Sequence, residues 1–165
     1  QRIGHVEVGP HEPLGRVASV PLYSERYQLI TAAGNRYSER SSVSWAELAE
    51  LPLCLLTPDM QNRRIIDQHL AEAGVSARAS LESNSMTVLF SHIRTGKWSS
   101  IMPLNLAETF GFGEPVRAIP IVEPDARHVV GLVVQPREPH TPLVKALLEE
   151  AMALAGDFSG NGRNM

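Results

Sequence analysis

Three short polar clusters have the residue types and the setting for ligand chemistry: Thr57-Pro58-Asp59-Met60, Ser83-Asn84-Ser85 and Ser99-Ser100. The first two stand where an apolar run gives way to a helix-like pattern. The third leads through Ile101-Met102 to Pro103. At a helix start the first amides have no partner in the helix, and the aligned peptide dipoles leave partial positive charge there. Hydroxyls, one amide side chain and such amides together suit a small anion, for example a carboxylate. Ser, Thr, Asn and Asp at helix starts ordinarily serve only as caps. Two adjacent junctions on one sheet edge leave capping and binding both open.

Signatures of catalysis are missing. The chain has no Gly-x-Ser-x-Gly elbow, no phosphate loop and no dinucleotide-binding glycine pattern. None of the six histidines (His5, His11, His69, His92, His128, His140) has an i, i+4 histidine or a Cys-x-x-Cys neighbour, so no metal site is expected. His69 and His92 fall on expected helices, with surface or partly packed roles. The lone Cys54 lies in the apolar run Leu53-Cys54-Leu55-Leu56 and reads as a small core residue. An enzyme would need a perturbed titratable group near the clusters, and the acidic candidates are Glu7, Asp59 and Glu82. No catalytic residue and no cofactor is assigned.

The elements that must position these clusters follow from pattern. Ile3, Val6 and Val8 suggest a first strand before the turn cluster Gly9–Pro13. Val17–Tyr23 and Tyr27–Ala33 read as two strands, and Gly34–Ser42 as a polar loop. Ser44-Trp45-Ala46-Glu47 is a capping box opening a short helix that stops before Pro52. Pro52–Thr57 is continuously apolar, as in a strand buried on both faces. A helix capped by Asp59 runs to about Ala73, with Gly74 behind it. Arg78–Glu82 is a strand. Asn84 or Ser85 caps a helix with Met86, Leu89, Phe90 and Ile93 on one face, ended by Gly96. Ser99–Met102 is a strand.

Strand, helix, strand, helix, strand implies parallel strands with right-handed crossovers, an α/β lobe. Ligands bind such sheets at the carboxyl ends of the strands. Beyond Pro103 the pattern gives a helix over Leu104–Phe110 and strands at Val116–Val122 and His128–Gln135. A last helix is capped by Thr141, with Leu143, Leu147, Ala151 and Leu154 inward. Gly156–Met165 reads as a frayed tail.

The 165 residues fit one domain or two small lobes. With 43% hydrophobic and 20% charged residues, the composition is that of a globular protein. A net charge of −3 offers no basic footprint for nucleic acid, and the densest basic pair, Arg63-Arg64, stands alone. One cysteine precludes an internal disulfide and fits a reducing, cytoplasmic setting. No run approaches the roughly 20 apolar residues of a membrane span. The start, Gln1-Arg2-Ile3-Gly4-His5, carries no signal-peptide pattern and reads as the interior of a longer protein.

Taken in order, Ser19-Val20-Pro21-Leu22-Tyr23-Ser24-Glu25-Arg26-Tyr27, Trp45–Pro52, Asn84-Ser85, Ile93–Pro103 and Gly131-Leu132-Val133-Val134-Gln135 with Pro142 resemble the regulatory half of a LysR-type transcriptional regulator. The resemblance covers nearly the whole chain apart from the tail. It implies an α/β, two-lobed fold like a type 2 periplasmic binding protein, with a hinge of two crossing strands and an incomplete lobe one. Lobe one would hold residues 1–39 and the closing segment 135–156, lobe two residues 40–134, and the tail 157–165. Carried over by position, the residues contacting an effector between the lobes are Glu7, Thr57, Pro58, Asp59, Met60, Asn84, Ser85 and Ser100. At the Glu7 position the family often carries Thr or Ser.

The resemblance also implies a small, anionic metabolite as effector and a homo-oligomer, dimer or tetramer. DNA would be bound only through an N-terminal winged helix-turn-helix that this sequence does not contain. The first strand and helix of lobe one are also missing from the family pattern, and the loss of that helix is expected to expose apolar surface on lobe one. In place of the family's Gly-Leu-Gly turn stands Gly96-Lys97-Trp98, with Trp98 expected to pack. The alternative is a solute-binding protein of a transport system. A small α/β enzyme and a pure dimerisation module are further readings.

Overall fold

The computed structural model describes residues 18–109, 115–135 and 139–161. The expected first strand, the Gly9–Pro13 turn and Glu7 lie outside them. The chain divides into two compact units, Arg26–Arg127 and a second made of Gln1–Glu25 with His128–Met165. The sequence reading had placed the corresponding lobe at residues 40–134.

In the Arg26–Arg127 unit the sheet is built around a strand with no wet face. Strand β1 (Ala18–Ala32) is one continuous strand where two were expected. The polar stretch Ser24-Glu25-Arg26 contains no Gly or Pro, so nothing breaks the extended backbone. Strand β2 (Val43–Ser44) leads into helix α1 (Trp45–Leu48) through the expected capping box. Ser44 Oγ accepts from the Glu47 amide, and the Glu47 carboxylate accepts from the Ser44 amide at 2.8 Å. Strand β3 (Leu53–Leu56) is buried at all four positions. Helix α2 (Gln61–Glu72), strand β4 (Ala79–Ser83), helix α3 (Met86–Ile93) and strand β5 (Ser100–Pro103) follow, as the pattern predicts. Helix α4 (Leu104–Thr109) and strand β6 (Val116–Val122) complete the unit.

β3 and β4 are parallel, and β3 meets the start of β5 in a parallel bridge between Leu53 and Ser99. β5 and β6 flank β1 antiparallel, and β2 adds to β6 in parallel. The parallel part therefore has the order β4-β3-β5. The chain runs outward from β3 to β4 and then back across β3 to β5. Right-handed crossovers in opposite directions must lie on opposite faces. The core obeys this: Leu53 and Leu55 pack with Ile65, Ile66 and Leu70 of α2, while Cys54 and Leu56 pack with Leu89 and Ile93 of α3. Each fully buried leucine contributes roughly 2 kcal/mol. Gly74 and Gly96 close α2 and α3 in the left-handed region, at φ 76° each, where a side chain would be strained. A bulge interrupts the β3–β4 register. Leu53 pairs with Ala79, but Cys54 pairs with Leu81, which leaves Ser80 over.

The second unit contains the first part of β1, strand β7 (Arg127–Val134), which pairs with β1, and helix α5 (Pro142–Asn161). Thr141 caps α5 as expected, its hydroxyl accepting from the Val144 amide at 3.4 Å. Two expectations for this helix are corrected. It continues to Asn161, beyond the anticipated stop at Gly156. Its inward stripe is Val144, Leu148, Ala151 and Ala155, whereas Leu143, Leu147 and Leu154 are 79%, 53% and 57% exposed. Both stripes are apolar, so periodicity alone could not say which faces inward. Val129 and Val133 on β7 are also exposed.

Gly131 sits where β7 meets β1. A Cβ there would lie 2.6 Å from the Val20 carbonyl oxygen and 3.2 Å from Pro21 Cα, both backbone atoms that cannot swing aside. Gly131→Ala is therefore expected to destabilise the chain by about 1–3 kcal/mol in urea unfolding. An unchanged midpoint would show that β1 and β7 do not approach this closely in solution.

Candidate functional site

The carboxyl ends of β3 and β4 make the natural crevice of this sheet. The two strands are adjacent and parallel, but the loops leaving them turn to opposite faces, one into α2 and the other into α3. This is a topological switch point, the place where open α/β sheets hold ligands. Thr57-Pro58-Asp59-Met60 follows β3, and Asn84-Ser85 follows β4. The structure brings these two clusters together directly, since the Thr57 amide donates to the Ser83 carbonyl at 3.2 Å.

Both helices begin without a side-chain cap. The residue preceding α2 is Met60, not the expected Asp59, and its side chain makes no capping bond. Ser85 precedes α3 as expected, but its hydroxyl makes no capping bond either. Neither helix has an acidic residue in its first turn. The polar residues that looked like caps are used otherwise. Ser83 Oγ accepts from the Ser85 amide at 3.1 Å. Asn84 is exposed. The Met60 amide closes the first turn on the Thr57 carbonyl at 3.0 Å, and Arg64 braces it from outside by donating to the Asp59 carbonyl at 3.1 Å. Met60 itself packs against the core beside α3.

The Thr57 hydroxyl oxygen is buried and has no aligned hydrogen bond. It lies close enough to the Asp59 carboxylate that its proximity, with the Asp59 amide and Arg64, holds that carboxyl below its ordinary value. Asp59 is therefore ionised at neutral pH and sits at the outer lip of the turn, where it is exposed.

Ser100 does not join this group. The Leu53–Ser99 bridge sets Ser100 level with Cys54, near the start of β3, so Met102 and not Ser100 reaches the level of Leu56. The Ser100 hydroxyl is buried and donates to the Cys54 carbonyl at 2.7 Å. Ser99 likewise pairs with Thr31 inside the core at 2.9 Å. Trp98 packs against the core, edge-on to His92. His69 is more buried than its helix position suggested. It lies between Tyr27 and Trp45 with Nδ1 3.0 Å from Glu72. Among the described residues no cluster of three or more His, Cys, Asp or Glu could hold a metal ion, and no helix is long and apolar enough to cross a membrane.

One residue escaped the sequence reading. Arg63, seen only as half of a basic pair, is 8% exposed and bonds to both β3 and β4 near the ends that lead into the two clusters. Its Nε donates to both Asp67 oxygens at 2.9 and 3.0 Å, and its Nη1 donates to the Leu56 carbonyl and to Glu82, each at 2.7 Å. Burial works against its charge, but the hydrogen bonds and charges of Glu82 and Asp67 outweigh that and raise its pKa above the ordinary value. The i, i+4 spacing of Arg63 and Asp67 was the available signal.

Comparison with known proteins follows this geometry. A family model described as "LysR substrate binding domain" matches residues 8–155. A probable nitrogen assimilation transcriptional activator of Synechococcus elongatus is 24% identical over 135 residues, 79% of this chain and 43% of that protein. The chain thus spans less than half of that curated relative. Among solved structures, the regulatory domain of Synechocystis CcmR in complex with 2-PG gives a TM-score of 0.76 at 15% identity, covering 95% of this chain and 72% of the other. The effector-binding domain of QuiR in complex with shikimate gives 0.73 at 18%, covering 91% and 69%. The reduced form of OxyR gives 0.70 at 22%, covering 87% and 65%. These likenesses show the fold, which is α/β and like that of a type 2 periplasmic binding protein.

Cys54 is wholly buried, and burial pushes its thiol up to about 11. At pH 8 only about one thiol in a thousand is then the reactive thiolate. An aromatic disulfide reagent is expected to label the folded chain far more slowly than the urea-unfolded chain. Equal rates would show that the core around β3 opens readily.

Proposed function

The chain belongs to the LysR substrate binding domain family, and on that footing we propose that it is the ligand-sensing part of a LysR-type transcription regulator and not an enzyme. Its effector is a small anionic metabolite held at the carboxyl ends of β3 and β4. The observation that carries this reading is the pair of helices, α2 and α3, that start at adjacent parallel strand ends with no side-chain cap on either. Unpaired amides and the positive ends of two dipoles converge on one crevice, and an anion answers both. Thr57 and Asn84 add a hydroxyl and an amide at the same place. Asp59 at the lip opposes anions that approach from its side and so favours a ligand whose charge is compact and whose remainder is polar and neutral. QuiR in complex with shikimate, a hydroxylated carboxylate, is consistent with such a ligand class.

Pro58 shapes the first turn, and Met60 offers an apolar wall. Ser85 presents its amide end. Ser100 acts through the core, by way of the Cys54 carbonyl, and Glu7 keeps the role proposed for it from the family pattern. The sensing domain works by population shift. Ligand that binds one arrangement of the domain more tightly biases the oligomer, and with it a DNA-binding segment elsewhere in the regulator. A homo-oligomer, a cytoplasmic setting and DNA contact through a winged helix-turn-helix belong to the same proposal.

A thermal-shift titration with small carboxylates, shikimate first, tests the reading. A ligand that binds only the folded chain adds about 2.7 kcal/mol at a hundred times its Kd. The expected result is a melting temperature that climbs with carboxylate concentration. Asn84→Ala is expected to weaken the affinity by about 1 kcal/mol while leaving the ligand-free melting temperature unchanged. A flat response to every carboxylate, or an Asn84→Ala chain that binds like the parent, would count against the crevice.

A further inference from the structure

We propose that Arg63 is the positioning residue of the crevice, the group that sets the spacing between its two loops; this rests on the crevice being the effector site. The argument is one of connectivity. Leu56 is the residue before Thr57, and Glu82 stands two residues before Asn84. A single nitrogen, Arg63 Nη1, donates to the Leu56 carbonyl and the Glu82 carboxylate at 2.7 Å each. One atom of α2 therefore ties the last carbonyl of β3 to a side chain near the end of β4. The other arm of the guanidinium, Nε, is anchored to Asp67 one helical turn along α2. The fork is planar and rigid, so its three attachments keep a constant geometry that an ammonium could not reproduce.

Burial makes the attachment obligatory. Arg63 is 8% exposed, and a guanidinium at that depth must keep its partners. The side chains of Asp67 and Glu82 are 45% and 42% exposed, so the carboxylates of the cluster face outward while the guanidinium stays covered. The carboxylates leave no surplus positive charge for a ligand. Arg63 thus acts through Leu56 and Glu82 and is not itself an anion contact. The bulge at Ser80 serves this arrangement, because it places Glu82 opposite Leu55 on the α2 face of the sheet.

Backbone amide NMR of the chain without ligand tests the idea. Arg63→Met is expected to move the amide signals of Thr57, Asp59 and Met60 and, together with them, those of Asn84 and Ser85, 21 and more positions away along the chain from residue 63. Arg63→Lys keeps the charge but loses the fork, and is expected to restore neither set. A role in stability alone would lower the melting temperature of Arg63→Met and leave the Asn84 and Ser85 signals in place, which would overturn the proposal. Glu82→Gln guards against a variant that does not fold. It keeps the Asp67 and Leu56 arms and is expected to move Asn84 and Ser85 while Thr57–Met60 stay put; unmoved Asn84 and Ser85 signals there would also overturn it. Shikimate is then titrated into the parent and Arg63→Lys, with a loss of affinity expected in the latter. Failure of the parent chain to bind shikimate speaks against the effector reading only, because the amide signals decide the role of Arg63 without any ligand.

Discussion

A strand with no side open to water governs this structure. Leu53–Leu56 must be covered above and below, and its backbone must be paired on both edges. Helices α2 and α3 cover it, one on each face, and β4 and the start of β5 pair with it. To put helices on opposite faces of one parallel strand the chain has to reverse its direction of travel across the sheet. That reversal opens the crevice beyond Leu56. The candidate site is thus a by-product of the way four apolar residues are kept dry.

The same demand explains the polar groups that were drawn inward. Thr31 and Ser99 satisfy one another, and the Ser100 hydroxyl is spent on the Cys54 carbonyl. In a sheet that meets β3 only at the start of β5, backbone carbonyls near the edge need donors, and serine hydroxyls supply them. A polar residue beside an apolar run can therefore be a ligand contact or a structural donor. The strand register decides which, by setting the end of the sheet on which the residue falls.

Much of the fold was legible because local and global demands agreed. The capping box at Ser44, the left-handed glycines at 74 and 96, and the alternation from Pro52 to Pro103 each have a local cause that tertiary packing did not override. Where two patterns were equally apolar, as on α5, only packing could choose, and of the expected stripe Ala151 alone faces inward. The joining of two expected strands into β1 failed for a related reason, since a polar stretch was taken as a break although no residue in it resists extension. The site was half legible. Thr57–Met60 and Asn84-Ser85 could be placed at strand ends, because strand ends carry recognisable residue types. Arg63 could not, because its importance lies in which carbonyl and which carboxylate it meets, and those partners are 7 and 19 positions away.

The bulge in β4 has a consequence for how this segment can change length. Side chains alternate between the faces of a strand, so one surplus residue exchanges the faces of everything after it unless a bulge takes it up. The bulge takes up Ser80, and so Leu81 joins the core on the α3 side and Glu82 comes up beside α2. A descendant gene that lost the single codon for Ser80 would set Leu81 directly after Ala79 and leave both side chains on their present faces, with regular pairing. A codon gained between Ser80 and Leu81 would do the opposite: without a second bulge Glu82 would share a face with Leu56 and the apolar side of α3, and Arg63 would face a leucine. Lineages carrying this segment should therefore tolerate a β4 one residue shorter at the bulge, but not one residue longer.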